Sequence, residues 1–352
     1  MMFPDANLSQ INQALENADR AFRAYRQLPL SRRAAFLRAI AAELENCGDQ
    51  LLQTTIRETH LPEARLRGER ARTIYQLESY ALACEEGSWL EARIDTANPD
   101  KTPPKPDIRK MMVPLGPVVV FGASNFPYAY STAGGDTACA FAAGCPVIVK
   151  AHPAHAETSQ LVADAIQLAA QKCGLPQGLF VHLHGRSNEI GKALVEHPLT
   201  AAVGFTGSYG GGRQLFDWAN QRAVPIPVFA EMGSVNPIFL LSGRLSKDLS
   251  TIVTQCAASI TLGVGQFCTN PGLIIGVDGP GLQQFINDLG KAIKDTAPAP
   301  MLHTGIAKAY QEKKSKALLQ ENVQLVAEAV PAPQESMGSA ALATVTGDAF
   351  IA

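Results

Sequence analysis

Between residues 8 and 85 the apolar positions recur at helical spacing. In LSRRAAFLRAIAAELENCG, Phe36, Leu37, Ile40, Ala41 and Leu44 fall on one face, the stripe of a helix turned toward a core. Ser31 is placed to cap that helix and Gly48 to stop it. Residues 96–112 break the pattern; their TANPDKTPPKPD is rich in proline and polar groups and reads as an exposed linker or arm. From residue 117 short apolar runs alternate with helical stretches. The runs are 117–122, 146–150, 178–183, 200–205 and 227–230, with helices expected near 131–143, 155–172, 187–197 and 209–221. Continuous apolar strands separated by helices predict an α/β fold, a parallel sheet covered on both faces. Such sheets bind ligands beyond the carboxyl ends of their strands. A second α/β unit is expected from residue 231, with strands at 236–241, 272–277 and 322–330 and helices near 245–263, 280–294 and 304–320. The final TVTGDAFIA carries no evident closing element.

Length and composition narrow the picture. At 352 residues, two domains are expected, 1–230 and 231–352. A formal charge of −2 gives no reason to expect nucleic acid or an anionic membrane as partner. No apolar run approaches the ~18 residues of a membrane span, and the N-terminus has no signal-peptide pattern. Seven cysteines without regular spacing fit a reducing cytoplasm better than a disulfide framework. No metal-ligand spacing is present.

Five patches carry candidate chemistry. Cys268, in GQFCTNPG, is flanked by Gly265, Asn270, Pro271 and Gly272, a loop able to present a thiolate nucleophile. The plain reading is a small buried side chain, which is expected of Cys139, Cys145, Cys173 and Cys256. Glu231 follows a strand, where a general base would sit, although most glutamates are merely solvated. Asn125 precedes Phe126-Pro127 and either donates to an oxyanion or caps the next helix. Gly207 and residues 210–212 form a glycine-rich turn suited to a phosphate, a weak signal alone. Lys150 ends a strand and either holds a ribose or phosphate or is solvated. The histidines, among them His152, show no pattern of their own.

Together SNFP, VIVK, FTGS-x-x-x-G, AEMGS and GQFCTNPG resemble the NAD(P)-dependent aldehyde dehydrogenase superfamily over nearly the whole chain. FGASNFP, AGGDTACAFAAGCPVIVKAHPAH and PIPVFAEMGSVNP are similar to the branch of 2,5-dioxovalerate (α-ketoglutarate semialdehyde) and NADP-preferring long-chain aldehyde dehydrogenases. The resemblance implies a Rossmann-type cofactor domain followed by a catalytic domain. It implies Cys268 as nucleophile, Asn125 as oxyanion donor with the Cys268 N–H, and Glu231 as the base that activates water. Lys150 and His152, with Ser124, Gly207, Ser208 and Gly212, become the cofactor-binding set.

Many NAD-using members resemble K-P-x-E after the second strand, and the glutamate holds the ribose 2′-hydroxyl. Here Pro153 stands at that place, so no carboxylate repels a 2′-phosphate. NADP is therefore expected, with NAD possible. The substrate expected is 2,5-dioxovalerate, the alternative a long aliphatic aldehyde. A dioxovalerate carboxylate calls for an arginine, lysine or helix N-terminus, which the sequence does not locate. Family members continue into an E-x-F-G-P motif and an oligomerisation strand, neither found here. The chain thus resembles a shortened member, and the homo-oligomer of the family is in doubt. A dinucleotide-binding chain without turnover, or a slow esterase using Cys268, are the competing expectations.

Overall fold

A computed structural model of the chain describes residues 3–351. It contains two compact units. The first runs to Glu58 and resumes over Pro62–Met232; the second takes Thr59–Leu61 and the chain from Gly233 onward.

The first unit opens with helices α1 (Leu8–Tyr25), α2 (Leu30–Asn46), α3 (Gly48–Thr59) and α4 (Glu63–Glu86). Asn7 and Gln10 cap α1 reciprocally, each side chain accepting from the other's backbone N–H at 2.9 Å. Ser31 does not cap α2. Pro29 occupies that position, so the helix starts earlier than expected; a proline with φ near −55° presets the entry and leaves no orphan N–H of its own. The helix stops at Asn46, and Gly48 has the positive φ (+55°) of a chain reversal. Phe36, Leu37, Ile40, Ala41 and Leu44 are all buried, as their spacing predicts.

Two short exposed strands, β1 (Arg93–Asp95) and β2 (Ile108–Lys110), pair antiparallel, with Ile94 opposite Arg109. The segment 96–112 is therefore built around a hairpin arm.

The sheet follows, as β3 (Val118–Phe121), α5 (Gly135–Ala143), β4 (Val147–Lys150), α6 (Ala156–Lys172), β5 (Phe180–Leu183), α7 (Asn188–Glu196), β6 (Ala202–Gly207), α8 (Tyr209–Asn220) and β7 (Val228–Met232). All strands are parallel, in the order β5-β4-β3-β6-β7. Ile11, Ala14, Leu15 and Ala18 of α1 and Ile190 and Leu194 of α7 cover Val119 and Ile148. Leu215 and Ala219 of α8 pack on Val203. Burial of these branched side chains on both faces explains why the strands read as unbroken apolar runs. The chain runs outward through β3, β4 and β5 and returns to add β6 on the other side of β3. The carboxyl ends of β3 and β6 are thus the topological switch point, where doubly wound sheets bind ligands.

The second unit pairs β8 (Ile238–Leu240) with β9 (Ile274–Gly276) in parallel. Helices α9 (Ser242–Thr261) and α10 (Pro280–Lys294) form its core, with Ile252, Val253, Cys256, Phe285, Leu289 and Ile293 buried together. The remaining elements are β10 (Ala299–Pro300), α11 (Thr304–Leu318), β11 (Gln324–Glu328), β12 (Met337–Gly338), β13 (Ala341–Thr344) and α12 (Gly347–Ile351). β10 pairs with β12, and β13 lies antiparallel to β11 with Gln324 opposite Thr344. β13 was not expected from the sequence: ALAT is too short to stand out as a period-two pattern, and beyond it, among the described residues of TVTGDAFIA, only the short α12 forms. No described helix is long and apolar enough to cross a membrane.

Candidate active site

The loop after β3 is held from several sides. Ala123 N–H donates to Tyr130 O at 2.8 Å, closing residues 123–130 into a compact turn. Glu69 of α4, buried, accepts from the backbone N–H groups of Tyr128 (2.8 Å) and Ala129 (3.1 Å). Burial pushes the Glu69 carboxyl above the usual range, against the pull of those two donors. Arg65, also on α4, donates to the backbone carbonyl of Asn125. His155, fully buried, bonds through Nε2 to Ala123 O at 2.9 Å, and burial holds its pKa low. Asn125 does not cap α5, whose N-cap is Gly134. The capping explanation for this asparagine is therefore removed.

Lys150 closes β4, in register with Phe121 of β3 and Leu183 of β5. It is partly buried, and desolvation lowers its ammonium pKa, opposed by Asp5. Pro153 opens a single 3₁₀ turn to His155. The His152 Nδ1 accepts from Ala154 N–H at 3.1 Å, which puts a neutral ring's proton on Nε2. Ser124 lies three residues beyond the end of β3, next to Asn125 in the chain.

Gly207 ends β6. Ser208 caps α8, its Oγ accepting from Gly211 N–H at 3.2 Å. A Cβ on Gly212 would lie 2.4 Å from Met232 Cγ, so only glycine lets α8 sit this close to β7. Ser208, Tyr209 and Gly210 are exposed. The first turn of α8 therefore offers backbone N–H groups and the positive end of a helix dipole beside the switch point. Lys150 supplies a cation one strand beyond β3. These residues fit a dinucleotide's pyrophosphate and ribose.

Glu231 lies on edge strand β7 opposite Thr206 and is exposed. Gly204 shares that sheet face, because alternate residues of a strand point the same way. Asp136, in the first turn of α5, occupies the space above Gly204: a Cβ there would sit 3.2 Å from Asp136 Oδ2. Burial and the Glu231 carboxylate push the Asp136 pKa up, and no cation offsets them. Two carboxylates thus face one another across the α5 side of β6.

Cys268 belongs to the second unit and is half-buried. Three successive residues before it, Gly263, Val264 and Gly265, have φ of +56°, +58° and +71°. For Val264, β-branched, this conformation is strained. Beyond it the loop is pinned by the β7–β8 connection. Asn236 Nδ2 donates to Cys268 O at 2.7 Å and to Asn270 O at 2.9 Å, and Ser234 Oγ also donates to Cys268 O. Gly272 N–H donates to Val235 O at 2.8 Å. Gln266 Oε1 accepts from Leu302 N–H at 3.1 Å. Ser234 and Asn236 were visible in the sequence only as part of GSVNP, with no role. Their positive-φ signal, an Asn-Pro pair with Asn236 at φ +48°, was the available clue.

The first unit thus collects Ser124, Asn125, Lys150, Gly207, Ser208 and Glu231 at the carboxyl edge of one sheet. Among the other cysteines, Cys145 and Cys256 are buried as expected, whereas Cys139 is exposed and Cys173 half-buried; both sit on the outer side or end of a helix that the apolar pattern placed inside. No group of three His, Cys, Asp or Glu suited to a metal occurs among the described residues.

Residues 1–330 match the aldehyde dehydrogenase family. The chain is 49% identical over all 352 residues to alpha-ketoglutaric semialdehyde dehydrogenase 2 of Azospirillum brasilense, spanning 67% of that protein. It is 45% identical over 312 residues, 88% of its length, to alpha-ketoglutaric semialdehyde dehydrogenase of Acinetobacter baylyi, of which this match spans 59%. Its fold resembles an NAD-dependent benzaldehyde dehydrogenase of Corynebacterium glutamicum, with a TM-score of 0.80 at 21% identity, over 99% of this chain and 74% of that one. The chain belongs to the aldehyde dehydrogenase family, a family of oxidoreductases.

Proposed function

We propose that the protein oxidises 2,5-dioxovalerate to the corresponding dicarboxylic acid, with NADP as electron acceptor and Cys268 as nucleophile. The observation that carries this reading is the pinned loop of Cys268. Asn236 and Ser234 hydrogen-bond the backbone carbonyl of Cys268, which supports reading this loop as one that holds a reactive thiol in place. The similarity to two proteins named alpha-ketoglutaric semialdehyde dehydrogenase supports the substrate. A nicotinamide dinucleotide is the cofactor class that family membership supports.

In this reading the Cys268 thiolate adds to the aldehyde carbon, and the carbonyl oxygen takes the negative charge. The Asn125 amide and the Cys268 N–H receive that charge, each donor contributing about 3–4 kcal/mol by analogy with other oxyanion holes. The oxidised dinucleotide supplies the acceptor for the hydride that leaves this carbon, with its two electrons, as the carbon becomes a thioester. Glu231 then takes a proton from water, the hydroxide adds to the thioester, and Cys268 departs as thiolate with release of the acid. Lys150 and the first turn of α8 orient the dinucleotide, and Pro153 leaves its 2′-phosphate unopposed. NADPH formation with an aldehyde panel tests the reading: activity abolished in Cys268→Ala supports it, and binding of dinucleotide without product at any aldehyde contradicts it.

A further inference from the structure

The residues that lead into α1 cross the carboxyl end of the sheet. Ala6 N–H donates to His184 O at 2.9 Å. The Phe3 ring lies flat on the His184 imidazole, with centroids 4.0 Å apart and planes 5° from parallel. Between them Asp5 turns both carboxylate oxygens onto the same turn: Oδ1 accepts from Arg186 N–H at 3.0 Å and Oδ2 from Ser187 N–H at 3.3 Å. The turn is tight, since a Cβ on Gly185 would lie 2.1 Å from Ile190 Cδ1. Phe3, Asp5 and Ala6 thus tie a strap to residues 184–187, while Asp5 itself stays exposed.

That turn lies beside Lys150. Lys150 is in register with Leu183, and Ala151 N–H donates to Leu183 O at 2.8 Å. The strands β4 and β5 therefore end side by side, about 4.8 Å apart, and His184 follows directly. The electrostatics agree with this placement. Burial lowers the Lys150 pKa and Asp5 raises it. Burial also lowers that of His184, which Glu58 raises and Lys150 lowers. Lys150, His184 and Asp5 thus share one field. Glu58 is committed elsewhere, accepting from the backbone N–H groups of Glu157 at 2.9 Å and Thr158 at 2.8 Å. Asp5 is the carboxylate that sits on the turn itself.

With the dinucleotide ribose at Lys150, as in the proposed function, we propose that Asp5 is a specificity-determining residue: its carboxylate occupies the place of the 2′-phosphate, and NADP binds by displacing it from the turn. Pro153 puts no carboxylate against the 2′-position from β4; the strap supplies one from another element. A phosphate monoester carries about −1.5 to −2 charge at pH 7. It accepts from the same two N–H groups through charge-assisted bonds, so the exchange leaves no donor unpaired. The carboxylate, tied to the chain, competes at high effective concentration. A site occupied about nine-tenths of the time by its own chain binds about tenfold more weakly than the open site. A ribose with a free 2′-hydroxyl does not need the turn vacated, so NAD escapes this cost. The strap thereby trims the NADP preference that Pro153 permits.

Calorimetric titration of the full chain with adenosine 2′,5′-bisphosphate and with 5′-AMP, which differ only in the 2′-phosphate, tests this without turnover. Asp5→Asn keeps an oxygen acceptor for the Arg186 N–H and removes the charge. It should tighten the bisphosphate about tenfold and leave 5′-AMP within about twofold. The gain should shrink at high salt. Phe3→Ala frees the strap from His184 and leaves Asp5 charged; it should tighten the bisphosphate by less. Bisphosphate affinity unchanged or weakened in Asp5→Asn, equal changes for both nucleotides, or no binding of either to both proteins overturns the proposal. Lys150→Ala separates it from the cofactor placement. A bisphosphate affinity that does not fall in Lys150→Ala removes the ribose from Lys150, while Asp5→Asn still decides the strap. A fall in Lys150→Ala with no effect of Asp5→Asn sinks the role of Asp5 alone.

Discussion

Asn236 Nδ2 lies 2.7 Å from the carbonyl oxygen of Cys268 and 2.9 Å from that of Asn270, so one amide fixes both sides of Thr269. In the proposed reading, these bonds fix the backbone around the nucleophile, including the Cys268 N–H assigned to the oxyanion. Asn236→Ala should lower kcat about tenfold or more with nucleotide affinity unchanged. These hydrogen bonds are partly exposed, so stability should fall by only about 1 kcal/mol. A large loss of folding stability with normal kcat in the remaining folded fraction would show that Asn236 is a structural tie alone.

In the proposed reading, the preference for NADP follows from Pro153. A carboxylate there would face the 2′-phosphate, and like charges in contact cost several kcal/mol. Pro153→Glu should therefore shift the NADP/NAD ratio of kcat/KM toward NAD by at least tenfold. An unchanged ratio assigns the preference to other residues.

Asp136 carries a cost at neutral pH. Its pKa is raised in the folded chain, by burial and then by Glu231, so the native state holds the proton more tightly than the unfolded chain. Protonation favours folding, and stability declines as pH rises from the ordinary value of 3.8 through the raised one. Asp136→Asn should raise the melting temperature at pH 7 relative to the unaltered protein, with the difference vanishing toward pH 3. An isostere that is destabilised equally at every pH would contradict this.

His182 gives the opposite slope. Burial, then the neighbouring His184 and His155, bring its pKa down from 6.5 to about 3. The unfolded chain binds the proton first, so the stability from neutral His182 is present above pH 6.5 and is lost as pH falls toward about 3. The slope reaches about 1.4 kcal/mol per pH unit for one full proton. In His182→Gln, which keeps a polar group for Ser159 Oγ, now 2.7 Å from His182 Nε2, the acid limb of the melting curve should flatten. Identical acid limbs would exclude His182 as its source.

The parallel sheet was legible because its strands are buried on both faces and therefore read as unbroken runs such as VVVF and VIVK. Asn125, Lys150 and Glu231 drew notice because each sits at or just beyond the end of an apolar run, and Cys268 because Gly, Asn and Pro flank it. What the sequence withheld depends on contacts distant in the chain. Arg72 meets Tyr130 across 58 residues, Glu69 meets Tyr128 across 59, and Ser234 meets Cys268 across 34. None leaves a local pattern. Ser31 misled for a related reason: its capping chemistry was real, but Pro29 had already set the helix entry. β13 escaped notice because pairing with β11, and no alternation of its own, makes it a strand.

The central claim is that Cys268 carries the acyl group and Glu231 releases it. Glu231→Gln should form the thioester and hydrolyse it slowly. Intact-mass spectrometry of this variant, mixed with 2,5-dioxovalerate and NADP and quenched in acid, reads the adduct directly. The account predicts one added acyl group per chain, about one NADPH released with it, and no adduct in the Cys268→Ala, Glu231→Gln double variant. An unmodified mass accompanied by NADPH, or an adduct that survives removal of Cys268, would contradict it.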